Sequence, residues 1–562
     1  MMLLVRPYRK VLLRVLVFLV AVSFLNLAMP KIVGYVIDNV FDSPDTGGPP
    51  LVPEVRLGLL TRVLLVILAI YIVKNILYYT AKTRVIVVGE RVAFDLRQRL
   101  VQHLHTLSVD FYQQNRPGKI SARVLQDVQS IRQFIQEELA NMMIDLFMLL
   151  VAAGILFAMD PVLALVTLGI LPFHVLVYYL FRKPILAYAR EAKERMADVS
   201  GDLIEQFDGA TTVKASATQL IEQEKLRSSM RKGMRAQIKQ NRYYLLQKVS
   251  ADLLVGVGVI ILFGWGGYSV LYRGMSPGEF VAFYGYVWLL YPRVITLVGL
   301  AGKFSKASTS VERVFEMLSI EPGVKDDPKA VPFEIGRGRI EFRNVSFGYQ
   351  NGKVLEDVSF AVEGGEHVLI TGPSGAGKST CVNLIPRFYD PRKGSILIDG
   401  VDVRDFTLTS LRRQIGFVFQ DCFLFNDTIM ANIRYAWPQA GDDGVIEAAR
   451  KAYADEFIEK LPEGYMTMIG EGGVQLSQGE KRRLMIARAI LKNPRILILD
   501  EPLVSLDEGA RKRAVEGLAS LISNRTVLTI THYPAELPFA VKRVHVSDGR
   551  VTVRDLSGEE TP

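Results

Sequence analysis

Ile370-Thr371-Gly372-Pro373-Ser374-Gly375-Ala376-Gly377-Lys378-Ser379-Thr380 follows an apolar run, His367-Val368-Leu369-Ile370, and leads into a helix-like segment, Cys381 to Phe388. The pattern G-x-x-x-x-G-K-[ST] sits here between a strand and a helix, the context in which such a loop cradles phosphate. Glycines let the backbone turn tightly, so that its N–H groups and the following helix N-terminus converge on phosphate oxygens. Lys378 adds a positive charge, and Ser379 can ligate Mg²⁺. The segment Gly372 to Thr380 is therefore expected to hold a nucleoside triphosphate.

At 562 residues the chain is longer than one core usually serves, so at least two domains are expected. Hydrophobic residues make up 49% of it, and the mean hydropathy of +0.21 is high for an ordinary soluble enzyme. The apolar residues concentrate before about residue 305. The formal net charge of +9 raises nucleic-acid binding, but the Lys and Arg residues flank apolar spans instead of forming one basic stripe. Membrane lipid headgroups account for it better, and no nucleic-acid partner is expected. Both cysteines, Cys381 and Cys422, lie in the polar half, which points to a reducing compartment. No small-residue cleavage site follows the first apolar span, which reads as a retained membrane helix.

A helix needs about 20 mainly apolar residues to cross the hydrocarbon core. Six stretches qualify: Val11 to Ile37, Leu59 to Tyr79, Leu139 to Met159, Val162 to Phe181, Val249 to Tyr272 and Phe280 to Ala301. Arg6, Arg9, Lys10 and Arg14 precede or open the first, whereas the loop after it, Asp38 to Glu54, is acidic and rich in Pro and Gly. Positive charge stays inside, so the N-terminus is expected in the cytoplasm of a multi-pass protein of the bacterial inner or plasma membrane. Lys82 to Glu138 and Arg182 to Lys248 are polar and helix-like, and should project far from the bilayer at about 1.5 Å per residue. Within them, Phe111 to Ile120 and Gln206 to Lys214 break the helical pattern with Pro or Gly and are candidate tips for contacting a cytoplasmic domain.

Polar residues inside the spans are few: Lys74, Asn75, Asp145, His174, Asp252 and Arg293. Because a charge at the bilayer centre is costly, such groups face a cavity or a partner. Arg293, with Trp288 and Tyr291 nearby, is the best candidate for a cavity group meeting an anionic or hydrogen-bonding substrate. The alternatives are snorkelling or an interhelix pair with Asp145 or Asp252.

In the polar half, Ile340 to Tyr349 and Val354 to Val362 alternate like strands, and Tyr349 could stack on an adenine ring. Ile415 to Asp421 is an apolar strand ending near Gln420. Arg495 to Pro502 is a buried-strand pattern ending in Asp500 and Glu501, and parallel sheets carry functional groups at such ends. Asp500 can join a Mg²⁺ shell with Ser379 and Gln420, and Glu501 can polarise an attacking water. The strand Thr526 to Thr531 ends at His532, placed to meet a γ-phosphate.

Taken together these residues resemble an exporter-type half-transporter of the ATP-binding cassette family, and the resemblance covers essentially the whole chain. It implies a multidomain fold: an all-α, six-helix transmembrane domain over residues 1–305, a linker at 306–335 and an α/β P-loop nucleotide-binding domain over 336–562. In the family's terms Gln420 matches the glutamine loop, His532 the switch histidine, Ser505-Leu506-Asp507 the D-loop and Tyr349 the adenine-stacking aromatic. Phe423 to Ile429 and Gly470-Glu471-Gly472-Gly473 resemble exporter segments that touch the intracellular loops.

The family signature Leu-Ser-Gly-Gly-Gln stands here as Leu476-Ser477-Gln478-Gly479-Glu480. In the family two domains dimerise head to tail, so Ser477 and Gly479 would meet the γ-phosphate held by a second half-transporter chain. Gln478 is bulky, and Glu480 places a carboxylate where phosphate would be repelled. A homodimer with a tolerated variant and a heterodimer with one weak site both remain open. Pro502-Leu503-Val504-Ser505 and Tyr533-Pro534 also depart from common exporter runs. The resemblance implies ATP and Mg²⁺ as ligands and alternating access as the mechanism, and apolar walls with a few polar groups suggest a lipid, amphipathic drug-like molecule or modified peptide as cargo. Import, or a non-transport cassette ATPase, is the alternative.

Overall fold

The structure, a computed structural model, describes residues 6–41, 53–334, 336–349, 352–470, 472–504, 508–532 and 540–556. Ser505-Leu506-Asp507, Glu471 and Tyr533-Pro534 lie outside the described residues. The chain divides into two compact units, one comprising Met1–His103 and Gly118–Ser319, the other Leu104–Pro117 and Ile320–Pro562.

The first unit is helical. Six helices are long and apolar enough to cross a membrane: α1 (Arg6–Phe41), α2 (Glu54–Thr106), α3 (Pro117–Met159), α4 (Pro161–Asp208), α5 (Gln219–Tyr272) and α6 (Pro277–Leu318). Each contains one of the expected spans, and the polar extensions continue the same helices. Local chemistry sets where they begin: Asp160 caps α4 by accepting from the N–H groups of Val162 and Leu163, with Pro161 in the first helical turn. Ser276 and Glu279 form a reciprocal capping box at the start of α6. Asp38, at the end of α1, accepts from Ser276 Oγ at 2.6 Å and from the Gly278 N–H at 2.7 Å, which ties the two helix ends together. The core of this unit gathers Leu27, Met148, Leu156, Phe283, Tyr286 and Tyr291. The polar stretch expected as a linker from residue 306 starts as helix, since α6 runs unbroken to Leu318.

In the second unit a six-stranded sheet has the order β12-β11-β3-β10-β9-β6, with the strands being β3 (His367–Thr371), β6 (Ile415–Val418), β9 (Ile496–Asp500), β10 (Thr526–Ile530), β11 (Lys542–Ser547) and β12 (Arg550–Asp555). Neighbouring pairs are parallel except β11 with β12. A four-stranded sheet, β2-β1-β4-β5, adds β1 (Ile340–Phe347), β2 (Leu355–Val362), β4 (Lys393–Ile398) and β5 (Val401–Asp402). Leu369 of β3 packs into one core and Ile370 into another, so the strand is covered on both faces and reads as a continuous apolar run.

Register decides where the chemistry falls. Ile530 of β10 stands level with Ile370 of β3 on one side and Asp500 of β9 on the other, and Val418 of β6 stands level with Leu499. The carboxyl ends of four adjacent strands therefore finish in one row, where a doubly wound sheet places its ligands. Of the two expected tips, the first, Phe111 to Ile120, belongs to this unit as far as Pro117: a short helix, Val109–Gln114, carries Gln113, whose Oε1 accepts from Tyr389 Oη at 3.0 Å.

Candidate functional site

The loop after β3 owes its path to glycine. Gly372 has φ +147°, and a Cβ there would lie 2.1 Å from the Val546 carbonyl oxygen. Gly377 has φ +103° and forms the N-cap of α7 (Lys378–Leu384), a left-handed conformation that side chains disfavour. The loop from Gly372 through Pro373, Ser374, Gly375 and Ala376 thus delivers Lys378, Ser379 and Thr380 to the start of a helix. Lys378 is buried, and its Nζ donates to the carbonyls of Gly372 and Pro373, both at 2.9 Å. Its charge is held over the hollow of the loop, where it can pass to phosphate oxygens.

The neighbouring strand ends converge on the same place. The Ser379 hydroxyl hydrogen-bonds Asp500, whose carboxyl is pushed up by burial and by the charge of Glu501, against the pull of that hydrogen bond and of Lys378. Glu501 sits in a turn with φ +48° and is fixed from both sides. Its Oε2 accepts from Gln420 Nε2 at 3.0 Å, and its Oε1 lies 3.2 Å from His532 Nε2. Tyr349 reaches the far edge of the loop, its Oη 3.2 Å from Thr380 Oγ1 and its ring edge-on to Tyr389 at 5.3 Å.

The donors fit a magnesium ion. Hydroxyl, carboxylate and amide oxygens are the hard ligands it prefers, and two adjacent carboxylates, one with its pKa raised, are relieved by a cation. Among the described residues no group of three or more His, Cys, Asp or Glu side chains is placed to hold a metal, so the hydroxyl and amide oxygens matter here.

Ser477 and Gly479 stand apart. Ser477 is the N-cap of α8 (Gln478–Lys492). Its N–H donates to Glu480 Oε2 at 2.7 Å, and its Oγ accepts from the Glu480 N–H at 3.3 Å. Glu480 is thus the third residue of a capping box, a role the sequence signature Ser-x-x-Glu carries and that a reading of the carboxylate as repulsive passes over. No hydrogen bond among the described residues joins Ser477 or Gly479 to the phosphate loop. One chain brings together Tyr349, the loop, Gln420, Asp500, Glu501 and His532, and leaves the signature on its own.

Sequence reasoning also missed Arg482. It is buried on α8, and its guanidinium donates to the carbonyls of Phe419 at 2.7 Å and Gln420 at 3.0 Å. The signature helix and the glutamine segment are thereby tied to each other. An arginine two residues after Glu480 carries no motif that would have announced this.

Within the membrane unit, Arg293 lines a cavity of about 420 Å³ with Asn26, Lys74, Asn141 and Asp145. It is also ion-paired there, Nη1 to Asp145 Oδ1 at 2.7 Å. Tyr291 does not join it: the ring is buried in the helical core, with its hydroxyl 3.5 Å from the Thr167 carbonyl. Trp288 is 59% exposed and does not line the cavity. Tyr291 and Arg293 separate because residues two apart on a helix point to nearly opposite sides.

Residues 12–291 match the ABC transporter transmembrane region family, and residues 355–504 match the ABC transporter family of ATPase domains. YgaD of Bacillus subtilis, named as a proposed multidrug export ATP-binding/permease protein, is 33% identical over 97% of this chain and 94% of its own. SAV1866 of Staphylococcus aureus, named in the same way, is 34% identical over the same shares. The chain belongs to the ABC transporter family. An Atm1-family ABC exporter solved with ATP bound superimposes with a TM-score of 0.79 at 27% identity, covering 97% of this chain and 95% of that one. This ABC transporter chain therefore carries a six-helix membrane domain fused to an ATPase domain that binds ATP and couples its hydrolysis to transport.

Proposed function

We propose that this chain is one half of a dimeric exporter, which moves a hydrophobic or amphipathic molecule out of the cell by alternating access. Support comes from the split of the site: all the groups that would hold and attack a triphosphate lie together except Ser477 and Gly479, so a partner's signature would complete each site. Tyr349 packs on the adenine side. Gly372, Pro373, Ser374, Gly375, Ala376, Gly377, Lys378, Ser379 and Thr380 wrap the phosphates. Ser379, Gln420 and Asp500 hold Mg²⁺, which when bound neutralises charge on the phosphate oxygens. Glu501, oriented by Gln420 and His532, accepts a proton from the attacking water, and His532 meets the γ-phosphate. The N-terminus and the ATPase domain face the cytoplasm of a bacterial inner or plasma membrane, as the basic residues in the first turns of α1 support.

The test uses the protein purified with any partner chain and reconstituted in lipid. Mg²⁺-dependent ATPase activity that Glu501→Gln removes, together with ATP-driven uptake of a fluorescent amphiphile into inside-out vesicles, is the expected result. Uptake into right-side-out vesicles instead, or turnover indifferent to Glu501→Gln, overturns it. A heterodimer is favoured by one observation, the Glu480 carboxylate seated on the signature helix. Its test is whether the chain expressed alone forms an ATPase-competent dimer.

A further inference from the structure

The membrane cavity around Arg293 has an unbalanced charge. Lys74 and Arg293 bring two cations to it and Asp145 one carboxylate, with the amides of Asn26, Asn75 and Asn141 between them. Asp145 is committed: its side chain is 2% exposed, and its Oδ1 takes the hydrogen bond from Arg293 at 2.7 Å. That pair holds the guanidinium in place, and its remaining N–H donors have no hydrogen-bond partner among the described residues. Lys74 is different. Its ammonium lies 4.2 Å from the centre of the Tyr71 ring, and among the described residues no carboxylate pairs with it. At the cytoplasmic end, Lys82 donates to Asn141 Oδ1 at 3.2 Å and to the Gln136 carbonyl at 3.3 Å. The acidic groups there are Glu137 and Glu138, and Glu138 is taken by Lys303 at 2.6 Å.

A lysine in the apolar stretch of α2 that has an aromatic ring and no counter-ion is expensive to keep in a bilayer unless something negative visits it. A volume of about 420 Å³ suits a head group and the first few carbons of a chain, within the range of small-molecule sites. We propose that this cavity binds the acidic head group of an amphipathic molecule, a carboxylate, sulfonate or phosphate on a hydrocarbon tail. The anion sits between Lys74 and Arg293, Asp145 orients Arg293, and the charges of Lys74 and Arg293 turn away organic cations. The proposal deepens the exporter reading by assigning its cargo a charge, and rests on that reading only for calling the ligand a cargo.

Binding is measured directly, by isothermal titration of the full chain, with any partner, in nanodiscs of zwitterionic lipid. The probes are dodecyl phosphate and dodecyltrimethylammonium. Dodecyl phosphate is expected to bind at least tenfold tighter than the cation; Lys74→Gln raises its Kd tenfold or more, and Lys74→Arg restores it. Repeating the titration in nanodiscs containing phosphatidylglycerol separates the sources: weakened dodecyl phosphate binding there means that an anionic lipid takes the same site. Equal or tighter binding of the cation, or a Kd for Lys74→Gln within twofold of wild type, overturns the proposal. Since binding is read without turnover, failure of the exporter reading shows separately, as ATPase activity insensitive to Glu501→Gln.

Discussion

The Glu480→Gln substitution isolates one charge. The carboxylate of Glu480 accepts from the Ser477 N–H, and the Ser477 hydroxyl oxygen accepts from the Glu480 N–H, so the Ser477 N–H is already taken by a carboxylate while the hydroxyl proton stays free to donate to a partner's γ-phosphate. Glutamine, the residue the family signature has at this position, keeps an acceptor for the capping box while removing the charge, and stability should change by less than about 0.5 kcal/mol. For two unit charges about 6 Å apart at an effective dielectric of about 20, repulsion is roughly 3 kcal/mol. Glu480 is only half-buried and salt screens it, which brings the expected gain to about 1 kcal/mol, or roughly fivefold. ATPase activity against ATP concentration, in the protein with any partner chain, should show KM lowered about fivefold with kcat not reduced. The gap between wild type and variant should shrink as salt is raised. A KM within twofold of wild type at low salt, or a rise, would show that the carboxylate does not oppose the phosphate.

Glu501→Gln should lower kcat at least 100-fold while ATP binding persists, because the amide keeps contact with Gln420 but cannot take a proton from water; single-turnover ATPase measurement checks it. Tyr389→Phe removes the hydrogen bond to Gln113, worth about 1 kcal/mol, and should lower substrate-stimulated ATPase activity more than basal activity. His367 is buried between β3 and β10, with Nε2 2.9 Å from Thr529 Oγ1, and burial holds its pKa down to about 4. An unfolded chain takes up a proton there near pH 6.5 that the folded one refuses. Stability should therefore fall as pH drops from about 6.5 to about 4, by up to about 3 kcal/mol, and His367→Gln should flatten the fall in apparent Tm over that window.

Features set by local pattern were legible in the sequence. The six spans announce themselves by apolar length, and the loop Gly372 to Thr380 by spacing. The carboxylates Asp500 and Glu501 follow from the rule that parallel strands end at the site, because Ile496 to Leu499 could hardly be anything but a buried strand. What escaped depends on facing or on distant backbone. Arg293 and Tyr291 are neighbours in sequence and point apart on α6, a difference hydropathy does not encode. The clamp of Arg482 on Phe419 and Gln420 joins side chain to carbonyls some sixty residues away, and carbonyls leave no mark in a sequence. Glu480 is a different kind of miss: Ser477-Gln478-Gly479-Glu480 is a readable capping box, and the functional reading of the segment hid the structural one.

The capping box gives the signature helix an internal partner, and among the described residues other groups of the site have internal partners too. Lys378 rests on two loop carbonyls, Ser477 on Glu480, and Glu501 between Gln420 and His532. A triphosphate entering such a site exchanges protein hydrogen bonds for its own, and exchanges of that kind have small net free energies of about 1 kcal/mol each. On the proposed dimer, closing two chains on one nucleotide would set a phosphate oxygen in competition with Glu480 Oε2 for the Ser477 N–H. On that reading the single carboxylate of Glu480 tunes the closing step, and the salt-dependent KM difference between wild type and Glu480→Gln measures by how much.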